Sequence, residues 1–225
     1  MWWKKEKTNY EKIKEFVLEN KVLVACGVVG IVWLCKPSNW KRIPDVDSIP
    51  VSYWKKRKTI TGVVSRVGDG DGFHLYHRPL LHSFIPLPRP LPSKQISVRI
   101  AGVDAPECAH FGIPGQAFGE EAKKFLQDEL VGKTVAVQIL KRDQYGRCVG
   151  MAWVKRRFKW ENVSSLMLKK GLATVYIGSG AEYGNLLKTF QHLEKVAKFN
   201  KVGMWGKRSS HKETPMEFKK RTKAS

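Results

Sequence analysis

Ile96, Val98 and Ile100 alternate with Ser97, Arg99 and Ala101. A period of two sends the three aliphatics to one face of a strand and Arg99 to the other. Other stretches share this character. "KTITGVVSRV", residues 58–67, is rich in β-branched residues, and "GFHLYH", residues 72–77, follows an Asp-Gly-Asp turn. "TVAVQIL" and "CVGMAWV" are two further strands joined by the turn "KRDQYGR". Helical patterns stand between and after them. In residues 116–130, Phe118, Ala122, Phe125, Leu126 and Leu130 share one stripe, and Gly132 follows as a stop. "NVSSLMLKKGLATVY" reads as a short helix ended by Gly171 and then an extended piece, and Leu186, Phe190, Leu193 and Ala197 line a last helix. Five short strands with about three helices predict an α+β fold on a small closed β-barrel of OB type.

The stretch "RPLLHSFIPLPRPLPSK" holds five prolines and cannot be a central strand, so residues 78–95 are expected to form a surface insertion. "KPSNWKRIPDVDSIP" breaks both periodicities and reads as linker, which places the folded domain at 56–206 after a linker at 37–55. Residues 1–21 are mixed in charge, and 207–225 read as a basic, frayed tail. Residues 22–35, "VLVACGVVGIVWLC", carry no charge. That run is shorter than the roughly 20 residues that usually span a bilayer. A buried helix should show a polar face and a signal peptide a small-residue cleavage site, and the run has neither. Trp33 and Trp40 suit an interface, while Lys21 and Lys36 can snorkel, so a membrane anchor at 22–36 is the preferred reading.

The 225 residues carry a formal net charge of +21, which argues for a polyanionic partner, either nucleic acid or an anionic membrane surface. An apolar share of 42% argues against wholesale disorder. Cys26, Cys35, Cys108 and Cys148 form no CxxC pair or zinc spacing. They read as reduced thiols, with a Cys108–Cys148 disulfide left open.

Four pieces carry the chemistry: "DGDG" at 69–72, Arg99, "DAPE" at 104–107 and "DQYGR" at 143–147. Singly, each has a plain structural explanation as a turn, a capping loop or a hairpin. In this order, over residues 58–205, they resemble the staphylococcal nuclease (thermonuclease-like) family, with "GLATVY" and "GMW" echoing later features. The apolar N-terminal run and the proline-rich insertion are similar to the membrane-anchored, probable mitochondrial endonucleases of fungi.

The resemblance implies a Ca2+-dependent endonuclease that hydrolyses phosphodiester bonds of DNA or RNA by in-line attack of water, leaving 3′-phosphates, in a membrane-anchored, mitochondrial protein. It implies Asp71 and Asp104 as metal ligands, with the Ala105 carbonyl as a further one, which suits a hard cation. Glu107 is then the general base, and Arg99 and Arg147 grip phosphate oxygens. Gly72 and Ala105 stand where many family members carry threonine, which bears on hydrogen bonds around the metal ligands. Asp69 and Asp143 either tune the metal or close turns. Tyr145 packs on a base or sugar or in the core, Tyr176 matches a family tyrosine region loosely, and His110 reads as a loop residue. The rival readings are a non-catalytic nucleic-acid-binding OB module and a membrane-associated scaffold facing anionic lipid.

Overall fold

The computed structural model describes residues 40–109, 114–206 and 213–224, with scattered positions before residue 40. It divides into two units, Met1–Lys41 and Arg42–Ser225. In the first, the described positions before Lys41 are helical, and most of the charge-free run at 22–35 lies outside the described residues. Among the described residues no helix is long and apolar enough to cross a membrane.

In the second unit the five expected strands form β1 (Thr59–Asp69), β2 (Gly72–His77), β3 (Ile96–Ile100), β5 (Thr134–Arg142) and β6 (Cys148–Arg156). The ladders β1–β2, β2–β3, β1–β5 and β5–β6 are antiparallel. A parallel pairing, Val98↔Cys148 to Ile100↔Gly150, joins β3 to β6 and closes the circuit. Closure removes the open edges that an antiparallel sheet otherwise exposes. Ile96, Val98 and Ile100 are fully buried, as their alternation requires, with Val135, Val137, Ile139 and Met151. A sixth strand, β7 (Lys159–Asn162), pairs with the distal half of β6. Polar and half-exposed, it has no alternating pattern, and only the hairpin after Arg156 makes it a strand.

Helix α2 (Gly119–Leu130) starts three residues later than its stripe suggested and buries Ala122, Leu126 and Leu130. Helix α3 (Val163–Lys169) is capped by Asn162, whose side chain accepts from the Ser165 N–H. Helix α4 (Leu187–Phe199) buries Phe190 and Ala197. A two-residue strand β4 (Val103–Asp104) pairs with β8 (Thr174–Val175), tying the end of β3 to the segment after α3. Gly102, at φ +79, makes the turn between β3 and β4, and a Cβ there would lie 2.6 Å from Phe190. The proline-rich insertion has a short 3₁₀ turn, Leu80–Phe84, and contributes no strand to the barrel. Cys108 and Cys148 are free thiols.

Two boundaries move. The expected linker is partly core: Ile43, Val46 and Ile49, spaced three apart, are all buried, and a short helix α1 (Val51–Lys55) follows. The flanking prolines hide this from both periodicities, because the segment packs as an irregular chain. The expected frayed tail contains helix α5 (Pro215–Ala224), in which Phe218 is buried.

The N-terminal strap is stapled by His77, whose Nδ1 accepts from the Ile43 N–H at 2.9 Å. Burial pushes the His77 imidazole down to about 4, and the charge of Arg42 adds to this. Protonation removes the acceptor. The unfolded chain therefore binds more protons between about pH 6.5 and 4, and stability is lost as pH falls through that window. The depression corresponds to at most about 3 kcal/mol. Guanidinium melts between pH 7 and 4 should show this loss, and His77→Gln should flatten the dependence.

Candidate active site

The site is assembled at one end of the barrel from the turn after β1, the outward side of β3, β4 and the turn between β5 and β6. In the β1–β2 turn the Asp69 carboxylate accepts from the Asp71 N–H at 3.4 Å. Gly72 permits this fold-over, since a Cβ on it would lie 2.6 Å from Asp69 Oδ1. The Asp71 carbonyl accepts from the Ile100 N–H at 2.9 Å, and Gly72 pairs across the ladder with Arg99. Asp71 is thereby fixed beside the arginine. Across the Gly102 turn, Thr174 Oγ1 donates to the Asp104 carbonyl, and Ser164 Oγ donates to that of Ala101.

Arg99 joins these pieces. Its Nη2 lies 3.1 Å from Asp71 Oδ2 and 3.2 Å from Asp104 Oδ1. Its guanidinium also stands 4.8 Å from the centre of the Tyr176 ring. Both aspartates are buried, Asp104 at 2% exposure. Burial pushes the Asp71 carboxyl up to about 7 against the pull of Arg99, and the charges of Asp69 and Asp104 add to the rise. Asp104 Oδ2 is buried without a hydrogen-bond partner. Such an orphaned anionic oxygen beside a second carboxylate suits a hard cation. Among the described residues no three His, Cys, Asp or Glu side chains converge on one point. The carboxylates of Asp71 and Asp104 are the side chains here that could hold such a cation.

Glu107 is partly exposed, with a side-chain accessibility of 39%. Its backbone is clamped by Gln116, whose Oε1 accepts from the Glu107 N–H at 3.1 Å while its own N–H donates to the Glu107 carbonyl at 2.8 Å. Lys219, from α5, places Nζ 2.7 Å from Glu107 Oε1 and 2.8 Å from Asp104 Oδ1.

Asp143 closes the β5–β6 turn. It accepts from the Tyr145 N–H, the Arg147 N–H and Arg147 Nε, at 3.0, 2.8 and 2.7 Å. Partial burial pushes its carboxyl up, but the Arg147 hydrogen bonds outweigh that and hold it below the usual range. Burial pulls Arg147 down, whereas the Asp143 hydrogen bond and the charges of Asp71, Asp143 and Asp69 raise it above its ordinary value. Tyr145 is 69% exposed, which excludes core packing, and lies 5.5 Å from the Arg147 guanidinium.

Asp71, Arg99, Glu107 and Arg147 line one open cleft of about 690 Å³, together with Tyr145 and Lys219. Asp104 lies beneath, reached through Arg99 and Lys219. His110 lies outside the described residues. The sequence reading missed Gln116 and Lys219. The signal for Lys219 was present in Thr214-Pro215-Met216-Glu217, a capping box with proline in the first helical position.

A family profile described as "Staphylococcal nuclease homologue" matches residues 97–207. A probable endonuclease of Pyricularia oryzae is 40% identical over 230 residues, covering 97% of this chain and 88% of that protein. This chain belongs to the staphylococcal nuclease family. A probable endonuclease of Sclerotinia sclerotiorum is 42% identical over 196 residues, covering 82% of this chain and 74% of the relative. One of Schizophyllum commune is 39% identical, covering 81% and 67%. The profile takes in Arg99, Asp104, Glu107 and Arg147 of this staphylococcal nuclease homologue and stops before α5.

Asp143 accepts two hydrogen bonds from Arg147 and a third from the Tyr145 N–H. Asp143→Ala should therefore cost about 2 kcal/mol of unfolding free energy, the scale for charged hydrogen bonds lost together. Chemical denaturation measures this. Asp143→Asn, which keeps an acceptor, should cost less.

Proposed function

We propose that the protein is an endonuclease that uses Ca2+, bound by Asp71 and Asp104, to hydrolyse phosphodiester bonds of DNA or RNA. Family membership supports a nuclease hydrolase, and the fungal relatives carry the name probable endonuclease. The observation that carries the reading is one cleft lined by the buried Asp71, by Arg99, which also pairs with the buried Asp104, by a clamped glutamate and by a second arginine.

The roles follow from placement. Glu107 is held by Gln116 yet opens to the cleft, so its carboxylate can take a proton from a water aimed at phosphorus. Arg147, oriented by Asp143 through Nε, can turn its remaining donors to phosphate oxygens and offset the charge that grows on them. Arg99 offsets part of the charge of the paired aspartates and can offer further N–H groups at the cleft wall. The exposed ring of Tyr145 offers a face for a base or sugar. When bound, the metal ion would act as a Lewis acid on a phosphate oxygen. A net charge of +21 draws the polyanion toward the surface.

The membrane anchor at 22–36 and a mitochondrial location belong to the same proposal. The anchor is supported by the charge-free run with its Trp and Lys flanks, and the location by the resemblance to membrane-anchored fungal endonucleases. Alkaline carbonate extraction should leave the full-length protein in the membrane pellet, and release into the soluble fraction would refute the anchor.

Glu107→Gln keeps size and hydrogen bonding but removes the base. Its turnover on plasmid DNA or RNA should fall by roughly 10²–10⁴. Ca2+ and substrate binding should change far less. Asp104→Asn should instead raise the Ca2+ concentration needed for half-activity. Wild-type cleavage by Glu107→Gln at saturating Ca2+ would overturn the mechanism. Binding without cleavage under any divalent metal would favour the nucleic-acid-binding module instead.

A further inference from the structure

Helix α5 is attached to the site at several independent points. Thr214 and Glu217 exchange cap hydrogen bonds of 2.7, 2.8 and 3.3 Å, which define the start of the helix. Gln116, the residue that clamps Glu107, donates through Nε2 to the carbonyls of Glu213 and Thr214 at 3.4 and 3.5 Å. Phe218 is 7% exposed and lies at the cleft. Next to it, Lys219 Nζ bridges Asp104 Oδ1 and Glu107 Oε1. Among the described residues no other lysine bridges two acidic side chains of the cleft.

The position of that bridge matters. Asp104 is a ligand of the proposed metal, and Glu107 is the proposed base. A divalent cation on Asp104 would stand where it repels the ammonium, and a proton abstracted from water would go to a carboxylate that already accepts from Lys219. The ammonium sits on Oδ1 of the same carboxylate whose unpartnered Oδ2 suits the cation, so the two positive charges repel one another at short range.

We propose that α5 is an intramolecular cap whose Lys219 competes with the divalent cation for the carboxylates of the site, holding the cleft inactive until metal binding displaces the helix. The proposal rests on the metal-dependent reading of the cleft. Three features make displacement feasible. The helix has ten residues, a length at which an isolated helix is marginal in water. It is held by two buried side chains, Pro215 and Phe218, and a few polar contacts, so it can open without unfolding the barrel. Its sequence, "PMEFKKRTKA", is basic, so a polyanionic substrate would favour the released state. Linkage makes the coupling reciprocal: metal binding weakens docking of α5 by the same factor by which the docked helix weakens metal binding.

The test uses the full chain. Calorimetric titration with Ca2+ should show Lys219→Ala binding the ion roughly ten-fold or more tightly than wild type. Phe218→Ala retains the lysine but removes the buried anchor, and should tighten binding in the same direction. Hydrogen exchange of wild type should show the amides of 216–224 losing protection when Ca2+ replaces chelator, while β5 and β6 stay protected. Unchanged Ca2+ affinity in both variants, protection of α5 that persists or rises with Ca2+, or no Ca2+ binding by any form would each overturn the cap. Ca2+-dependent cleavage with unchanged affinity in both variants leaves the nuclease reading standing and removes the cap. Tightened affinity without cleavage under any metal does the reverse.

Discussion

Two carboxylates are buried at one end of an otherwise apolar barrel, and a single guanidinium nitrogen of Arg99 lies against both. Burying an ion alone is costly, and burying two like charges together is costlier. Arg99 makes the arrangement tolerable, but one positive charge does not balance two negative ones. The imbalance is visible in the raised Asp71 carboxyl and in the unpartnered Oδ2 of Asp104. Everything around the site is arranged to hold this excess in place. The β1–β2 turn presents Asp71, the Gly102 turn and the β4–β8 bridge present Asp104, and the β3–β6 closure fixes the strand that carries Arg99. A second positive charge is therefore favoured there, whether an ammonium of the chain or a divalent ion.

The acidic pocket contrasts with the rest of the molecule. A chain with a net charge of +21 attracts polyanions over its surface, while the cleft is lined by Asp69, Asp71 and Glu107, with Asp104 buried beside Arg99. Long-range attraction and local repulsion of phosphate are reconciled only by cations at the site. Arg147 is one such cation, and its partner Asp143 is spent on orientation, since three hydrogen bonds from the same turn converge on it. The motif at 143–147 thus works as a mount for one arginine.

Much of the barrel was legible because its signals are local. Alternation at 96–100 predicted the buried face of β3, the β-branched run at 58–67 predicted β1, and the stripe through Ala122, Leu126 and Leu130 predicted α2. The segment at 42–49 was not legible. Ile43, Val46 and Ile49 follow neither period, and their burial depends on a barrel surface and on His77, 34 residues away. Strand β7 was missed because a short polar segment becomes a strand only beside a partner. Helix α5 was not legible as a helix because its basic, polar sequence carries no clear apolar stripe, although the capping box Thr214–Glu217 marks its start.

The sequence by itself determined the strands, the turn chemistry and the identity of the charged residues, since each depends on neighbours within a few positions. Asp71, Arg99, Asp104, Glu107 and Arg147 could be singled out because motif order is a one-dimensional property. Only the tertiary structure decided which charges meet. That Arg99 serves both aspartates, that Gln116 clamps Glu107, and that Lys219 returns 115 residues along the chain to Asp104 are consequences of barrel closure and helix docking. Coulomb energy depends on distance in space, and a chain folded through non-local strand pairings does not encode that distance in residue spacing.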